Sequence, residues 1–220
     1  MPTNPNEPSS HRTTVRRGTK RASYDPHDIR GILAWGLVAH VAVNTTDGPL
    51  ALPMVYGISG DTMYLHGALA NSILKAGGDA DVCATVTIVD GMVFAKTAFN
   101  HSMNYRSVVV RGQGRVVTDE AEHLEALRVI TDHVVETWES TRPASTAELR
   151  ATRVIALSIN EASAKVRTGG AVNEPDDADQ PYWSGHVPLT LVFGTPVTND
   201  DSSAPIPPQI ADLDGRDAHS

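Results

Sequence analysis

The stretch Ala-Phe-Asn-His-Ser-Met-Asn-Tyr-Arg-Ser-Val-Val-Val-Arg, residues 98–111, decides how this chain is interpreted. Amide, hydroxyl, imidazole and guanidinium groups crowd its first part and run directly into three consecutive valines. Valine is β-branched and favours a strand. Polar and basic side chains gathered at the mouth of a strand indicate a ligand site, and these groups suit an anionic ligand that carries a ring.

The sequence around this stretch alternates between strands and turns. Strands are predicted at 37–44, 50–58, 62–66, 82–89, 92–96, 105–117 and 154–166. The Asp-Gly pairs at 47–48 and 90–91 predict tight turns, and the second turn closes a hairpin between 82–89 and 92–96. Gly112 and Gly114 indicate a bend in the long strand that follows the quoted stretch.

Helices are predicted at 25–35, 71–76, 119–138 and 146–151. The first begins with Pro26 after Asp25, a pair suited to a helix start. The third has apolar residues at helical spacing and acidic residues near its positive end. Six or seven short strands with one long helix and several short ones predict a mainly β, α+β fold. A small barrel with a lid fits this pattern better than a doubly wound sheet.

Length and composition bound the class of protein. The chain has 220 residues, the size of one domain, and one cysteine, Cys83, which excludes an internal disulfide and a multi-cysteine zinc site. We expect Cys83 to be a small core residue. No apolar run is long enough to span a bilayer and the first residues lack a signal-peptide pattern. We therefore expect a cytoplasmic protein that has no membrane partner.

The net charge of −8 is unevenly distributed along the chain. Nine acidic residues and one basic residue lie in 171–220, which leaves seventeen of each in 1–170. Because 196–220 is rich in Pro, Asp and Ser, we expect a disordered acidic tail there. Six basic residues fall within the first thirty. We expect 1–22 to be a flexible basic arm that folds over a phosphate-bearing ligand, with no nucleic-acid partner, and the folded domain to be 23–195.

Several catalytic motifs are absent, and one weaker pattern is present. The glycines fit neither a dinucleotide-binding fingerprint nor a Walker loop, no Gly-x-Ser-x-Gly occurs, and the nine histidines lack H-E-x-x-H spacing, so no metal site is expected. Where the strand at 62–66 ends, Ser72 and Lys75 lie on one face near a helix start. Together with backbone N–H groups they suit a phosphate. A turn serine and a surface lysine explain the same two residues.

Several segments together resemble the pyridoxamine-phosphate-oxidase-like flavin-binding family, in the branch related to nitroimidazole reductases. The segments are His66-Gly67-Ala68, 82–87, 90–95, His101-Ser102-Met103-Asn104-Tyr105-Arg106-Ser107-Val108-Val109, 161–169 and 183–189. The resemblance covers about residues 15–195, and its most specific part is Ser-Met-Asn-Tyr-Arg-Ser. It implies a split β-barrel, a homodimer, and FMN bound at the dimer interface.

The resemblance also implies which residues contact the cofactor. They are Pro53, Met54, Val55, Tyr56, His66, Gly67, Ala68, Ser72, Lys75, Arg106, Ser107, Lys165, Arg167 and Trp183. The first four line the isoalloxazine ring, the next three form the floor, and Ser72 and Lys75 meet the phosphate. Arg106 and Ser107 add polar contacts, and the last three close the site from the second subunit. This chain departs from the branch by carrying Asn100 where a second histidine is frequent, and Lys96-Thr97 in place of an Arg-Ser pair.

Three functions fit these observations. The first is an FMN-dependent oxidoreductase that acts on a small, electron-poor, nitroaromatic-like substrate, in which the flavin carries electrons and the protein positions it. His66 and His101 are its catalytic candidates, because imidazole titrates near neutral pH, although a structural role explains both. The second is a non-catalytic flavin-storage or sequestration protein. The third is a haem-binding barrel with His66 or His101 as axial ligand. Ser72 and Lys75 favour flavin, with FAD and deazaflavin as alternative cofactors.

Overall fold

A computed structural model of the chain describes residues 7–219. The strands in this part are β1 (Ala22–Ser23), β2 (Ala39–Thr45), β3 (Gly48–Met54), β4 (Tyr56–Ser59), β5 (Thr62–Ala68), β6 (Asp81–Phe94), β7 (Ser102–Gln113), β8 (Arg115–Val116), β9 (Thr152–Ser158), β10 (Ala162–Arg167) and β11 (Gly185–Pro188). The helices are α1 (Pro26–Trp35), α2 (Ser72–Ala76), α3 (Glu120–Thr131), α4 (Thr146–Ala151) and α5 (Pro208–Ala211).

The strands form two antiparallel sheets. The larger sheet has the order β1-β10-β7-β6-β2-β3, and β11 pairs with the far half of β6. The smaller sheet has the order β4-β5-β9-β8. The chain passes from the larger sheet to the smaller one at Val55, which separates β3 from β4, and again between β7 and β8. It returns to the larger sheet between β5 and β6 and between β9 and β10. This is the mainly β split barrel that the sequence predicts.

The core lies on one face of the larger sheet. Along β6, Val82, Ala84, Val86 and Ile88 are buried in the main hydrophobic cluster. Successive side chains of a strand point to opposite faces, so the alternate residues of β6 lie on the other, outer face. Cys83 is among these alternate residues and is only half-buried. The prediction that it packs in the core is therefore wrong.

Helix α1 covers the inner face of the larger sheet. It begins where the sequence predicts, because the Asp25 carboxylate accepts a hydrogen bond of 2.8 Å from the His27 N–H and Pro26 fills the first turn. Its buried residues, Ile29, Ile32 and Leu33, belong to the main cluster. The helix thus closes one end of the barrel with an apolar stripe.

Helix α3 covers the smaller sheet and is shorter than predicted. It packs over a second cluster that includes Tyr64 and Ile130. A Cβ on Gly57 would lie 2.6 Å from backbone atoms of α3, so this close approach requires glycine. The helix ends at Thr131 and not at residue 138, because the Asp132 carboxylate accepts hydrogen bonds of 2.9 and 2.8 Å from the N–H groups of residues 137 and 138.

The predicted hairpin at Asp90-Gly91 is wrong. Residues 81–94 form one continuous strand, β6, which carries a bulge between Val89 and Gly91. The strand that follows begins at Ser102, three residues earlier than predicted. An Asp-Gly pair suits a bulge as well as a turn, and the partner strands β7 and β11 on either side of β6 keep it extended.

Three other predicted strands are divided. Residues 154–166 form β9 and β10, which belong to different sheets and are joined by 159–161. Residues 50–58 are split at Val55, and 105–117 is interrupted at Gly114, where a Cβ would lie 1.9 Å from the Gly77 carbonyl oxygen. These divisions add three strands to the seven predicted segments, and the fusion of 82–89 with 92–96 into β6 removes one. The unpredicted strands β1 and β11 complete the eleven strands within residues 7–219.

Both terminal segments contact the barrel. Within 196–219, where disorder was expected, α5 forms, Ala218 is buried, and His219 Nδ1 lies 2.9 Å from the Trp35 carbonyl oxygen. In the basic arm, Thr13 is buried. Parts of both predictions, residues 1–6 and 220, lie outside the described residues, and the boundaries of arm, domain and tail stay predictions.

Candidate functional site

The predicted cofactor residues form two groups in the structure. The first group lies on the β3–β4 and β5–α2 connections and comprises Pro53–Tyr56, His66–Ala68, Ser72 and Lys75. The second lies on β7, β10 and the segment before β11 and comprises Arg106, Ser107, Lys165, Arg167 and Trp183. In the larger sheet β3 is three strands from β7 and four from β10. At about 4.8 Å per strand, β3 is roughly 14–19 Å from these two strands across the sheet.

Only part of the first group is accessible. Pro53 and Val55 are exposed, whereas Met54 is buried in the core. Tyr56 is fully buried, and its hydroxyl lies 2.6 Å from the Leu33 carbonyl oxygen and 2.8 Å from that of Gly36. Burial raises the pKa of Tyr56. Of this predicted ring-lining run, the side chains of Pro53 and Val55 are therefore the ones that a ligand can reach.

The start of α2 differs from the predicted phosphate cradle. The Asn71 side chain caps this helix, and its Oδ1 accepts hydrogen bonds of 2.9 Å from the Ile73 N–H and 3.3 Å from the Leu74 N–H. These backbone donors are therefore already used. The Ser72 hydroxyl and the Lys75 ammonium are exposed and remain as the groups that can meet a phosphate.

His66 and Gly67 pack beneath helices. His66 is half-buried on the same face of β5 as Tyr64, which α3 covers. Burial lowers the pKa of His66, and its Nδ1 is buried without a hydrogen-bond partner among the described residues. A Cβ on Gly67 would lie 3.0 Å from Leu74 and 3.1 Å from Asn71. The glycine is thus explained by the close approach of α2.

Arg106 and Ser107, in the second group, are bonded within the sheet. The Arg106 guanidinium donates three hydrogen bonds of 2.8–3.2 Å to the Asp90 carboxylate. The Ser107 hydroxyl donates to the Lys165 carbonyl oxygen at 3.3 Å. Arg106 is therefore committed to the bulge of β6, and Ser107 joins β7 to β10.

Lys165 and Arg167 lie two residues apart on β10. The Lys165 ammonium donates a 3.0 Å hydrogen bond to the Arg17 carbonyl oxygen in the arm. Arg167 is only 6% exposed, and its guanidinium donates to the Asn104 side chain at 2.5 Å and to the Gly170 carbonyl oxygen at 3.2 Å. Its Nε is buried and has no partner among residues 7–219.

His101 lies at an aromatic and thioether surface. Its ring meets Phe94 edge-on at 5.4 Å, and Phe94 lies 6.0 Å from the Trp183 ring. Met92 and Met103 face each other across β6 and β7 and are nearly half exposed. The His101 Nε2–H donates to the Ala95 carbonyl oxygen at 3.2 Å, which leaves Nδ1 as the ring nitrogen that can accept or coordinate.

The two positions that depart from the family pattern anchor the chain after β10. The Lys96 ammonium donates to the carbonyl oxygens of Asp177 and Ala178, at 2.8 and 2.5 Å, and the Lys96 N–H donates to Asn173. Asn100 donates to the Glu174 carboxylate at 3.4 Å. These residues fix the segment that carries Trp183 and β11 against the β6–β7 hairpin.

The outer face of the larger sheet lies between the two groups. Its side chains from β2, β6 and β7 are small or β-branched and include Ala42, Thr85, Thr87 and Val109, all partly or fully exposed. At one end an open groove is lined by Arg12, Ala42, Val43, Asn44, Pro49, Asp81, Val82, Cys83 and Arg111. None of the predicted cofactor residues lines this groove.

Three residues at these sites were not assigned a role from the sequence. Asn104, Met92 and Met103 all lie in segments that carry the resemblance, and Asn104 is buried against Arg167. A buried amide within a polar strand is a usable signal, because buried polar groups need partners. The pairing of Met92 with Met103 depends on the register of β6 against β7, which the mistaken turn at residue 90 concealed.

Two absences concern the described residues alone. In residues 7–219 no three His, Cys, Asp or Glu side chains come together as a potential metal site. No helix in the same part of the chain is long and apolar enough to cross a membrane.

The fold and the strand-end residues define a class of protein, and sequence comparison agrees with it. Residues 25–166 match the family described as pyridoxamine 5'-phosphate oxidase. The chain therefore belongs to the pyridoxamine 5'-phosphate oxidase family of split barrels. No curated protein sequence matches the chain.

Three solved structures illustrate the similarity. The flavocytochrome Anf3 from Azotobacter vinelandii is 35% identical, with a TM-score of 0.90 over 94% of this chain and 98% of that one. The FAD and haem binding protein from Mycobacterium smegmatis is 30% identical, with a TM-score of 0.84 over 90% and 98%. A protein described as a 5-nitroimidazole antibiotic resistance protein from Bacteroides thetaiotaomicron is 23% identical, with a TM-score of 0.55 over 66% and 86%, and shows the fold alone.

Proposed function

We propose that this chain is a flavoprotein that binds FAD and also haem. The observation that carries the proposal is the similarity to two proteins at 35% and 30% identity, each aligned over at least nine-tenths of both chains. One is a flavocytochrome and the other an FAD and haem binding protein. FAD therefore replaces the FMN expected from the sequence, and the haem-binding alternative becomes part of the main proposal.

The flavin site in this proposal is shared between two copies of the chain. Pro53 and Val55 offer apolar contacts to the ring, and Ser72 and Lys75 offer a hydroxyl and an ammonium to a phosphate. In this proposal Lys165, Arg167 and Trp183 reach the ligand from the second copy, since β10 is four strands from β3 in the larger sheet. The small, largely uncharged side chains on the outer face of the larger sheet suit close packing against a second copy, which would bring both groups together.

His101 is better placed than His66 to hold a haem iron. Its Nε2–H is fixed by the Ala95 carbonyl oxygen, an arrangement that orients an imidazole for coordination through the other nitrogen. Its ring meets that of Phe94, which in turn meets that of Trp183, and a porphyrin needs such an apolar face. The free nitrogen of His66, by contrast, is buried under α3. A bound haem would supply one-electron chemistry, and a flavin would supply one- and two-electron chemistry.

The activity that we propose is electron transfer to a small acceptor. A flavin and a haem on one chain suit an oxidoreductase in which two-electron and one-electron carriers exchange electrons. A nitroaromatic acceptor has only a fold-level similarity behind it, so the acceptor is left as a small electron-poor molecule. Flavin storage is the second candidate, because a storage protein needs the same phosphate contacts.

The ultraviolet–visible spectrum of the purified protein tests the proposal. We expect two flavin bands together with a Soret band, an extracted flavin that chromatographs as FAD, and a pyridine haemochrome of b-type haem. Addition of a reductant should reduce both groups. A protein that takes up neither FAD nor haemin from solution would overturn the proposal. A protein that binds FAD but exchanges no electrons with any acceptor would indicate storage.

A further inference from the structure

We propose that the basic arm and the end of β10 form a diphosphate clamp, and that this clamp makes the chain select FAD over FMN. The clamp is Lys20, Arg21, Lys165 and Arg167, held by the arm turn at 16–18. The inference rests on the proposed flavin binding and assigns a site to the diphosphate, of which FMN carries only one phosphate. None of the arm residues is among the cofactor contacts that the family resemblance implies.

The arm is held against β10 by specific contacts. β1 pairs with β10, and Ala22 lies opposite Lys165. Five residues before Ala22, the carbonyl oxygen of Arg17 accepts a hydrogen bond of 3.0 Å from the Lys165 ammonium. Gly18 follows with a φ of 67°, a conformation that favours glycine, and a Cβ added there would lie 3.5 Å from the end of the Lys165 side chain. The turn therefore brings Lys20 and Arg21 to the strand that carries Arg167.

The cations gathered here are not neutralised by carboxylates. Arg16, Arg17, Lys20 and Arg21 are all exposed in the arm. The ion pairs among residues 7–219 involve Arg12, Arg30, Arg106, Arg115, Arg128, Arg142 and His27, and none involves a residue of the clamp. Like charges held together in this way repel each other and attract a multiply charged anion.

Arg167 provides an independent indication that this end of β10 binds an anion. It is more than nine-tenths buried, its partners are an amide and a carbonyl oxygen, and its Nε has no partner among the described residues. Burial lowers the pKa of Arg167, and the positive charge of Arg21 lowers it further. A buried guanidinium without a carboxylate is costly, and an anionic ligand would relieve that cost.

The chemistry of the clamp favours a diphosphate. Arg21 is exposed and can bind a phosphate through two parallel hydrogen bonds. Arg167 adds a buried positive charge whose Nε has no partner among the described residues, and the two ammonium groups add point charges. FAD carries two linked phosphates and FMN carries one. Haem propionates are also paired oxyanions, so the test must separate them from the diphosphate.

The test compares FAD with FMN, which share the flavin and differ in the diphosphate, and it includes haemin because haem carries paired propionates. Dissociation constants for FAD, FMN and haemin are measured on the apoprotein and on the double variant Lys20→Gln/Arg21→Gln. Inorganic pyrophosphate is titrated calorimetrically into the same proteins. We expect the variant to bind FAD at least tenfold more weakly, FMN more weakly by a clearly smaller factor of threefold at most, haemin unchanged, and pyrophosphate without detectable heat.

The control is the double variant Arg150→Gln/Arg216→Gln, which removes two exposed arginines elsewhere in the chain. It should leave every constant unchanged. Equal losses for FAD and FMN, no loss for FAD, or a loss confined to haemin would overturn the clamp. If the parent binds no flavin, the flavin proposal fails, but the calorimetric titration with pyrophosphate still tests whether the clamp binds a diphosphate. Heat that disappears in the arm variant supports it, and absence of heat in the parent rejects it.

Discussion

Arg106 donates to both carboxylate oxygens of Asp90, so the guanidinium that the family pattern assigns to the cofactor is held by the sheet itself. Both side chains are less than a third exposed, and Asp90 sits at the bulge of β6. A two-point ion pair of this kind straightens the region where the sequence suggests a turn. It also uses two of the three guanidinium nitrogens, Nε and Nη2, with which Arg106 could hold a phosphate.

A double-mutant cycle on this pair tests its structural role. We expect Asp90→Ala and Arg106→Ala to show a coupling energy of about 1 kcal/mol in urea unfolding, because the pair is bidentate and partly buried. The affinity of Arg106→Ala for FAD should stay within threefold of the parent. The exposed pair Arg142–Glu148 is a matched control and should couple more weakly. A tenfold loss of FAD affinity would restore Arg106 to the cofactor site.

The pH dependence of stability should reflect two buried imidazoles. Burial lowers the pKa of His66 and of His133, although the hydrogen bond from His133 to the Gly36 carbonyl oxygen partly opposes the shift. Because the unfolded chain takes up protons first, the free energy of unfolding should fall as the pH drops through about 6.5. His133→Gln keeps a donor and removes the titration, so this fall should be smaller. His27→Gln, at a fully exposed position, should leave the pH profile unchanged. Identical profiles for parent and His133→Gln would contradict the assignment.

Substitution of Lys75 should change the affinity for FAD, whereas substitution of Asn71 should change the stability of the fold. If the Lys75 ammonium meets a flavin phosphate, Lys75→Ala should weaken FAD binding by about 1–3 kcal/mol. Asn71→Ala removes the cap of α2 and should lower the free energy of unfolding by about 1 kcal/mol. Fluorescence titration and urea unfolding separate the two effects, with Arg150→Ala as the charge control. Unchanged FAD affinity in Lys75→Ala would remove the phosphate role.

The two histidine candidates should differ in their effect on haem. We expect His101→Ala to lose the haem Soret band or to shift it to that of a weakly ligated haem, and to retain FAD. His66→Ala should keep the Soret position of the parent. Absorption and electron paramagnetic resonance spectra of the haemin-loaded variants provide the measurement. A Soret band lost in His66→Ala and kept in His101→Ala would exchange the two assignments.

Local sequence signals predict the elements that local interactions form. The start of α1 follows from Asp25 and Pro26, and the alternation of β5 follows from its own residues. Where the prediction fails, the deciding contact comes from elsewhere in the chain. Arg106 holds Asp90 from sixteen positions away, and β9 and β10 separate because their partners lie in different sheets.

The residues of the candidate site could also be predicted only in part, because contacts from elsewhere in the structure decide which of their groups are free. The sequence identifies the types of residue that suit a phosphate, but it does not show that Asn71 already satisfies the backbone donors of α2. Nor does it show that Tyr56 points into the core. The arrangement of Arg167 with Arg21 depends on the pairing of β1 with β10, whose residues lie at opposite ends of the folded domain.

That pairing has a consequence for the order of folding. β6 and β7 are joined by the short connection 95–101 and can form early, whereas β1 and β10 close a loop that spans most of the chain and must form late. The clamp is therefore complete only when the barrel is nearly finished. FAD should slow unfolding and leave the refolding rate unchanged in stopped-flow experiments. The cofactor would then be captured by an assembled protein and would not act as a template for its assembly.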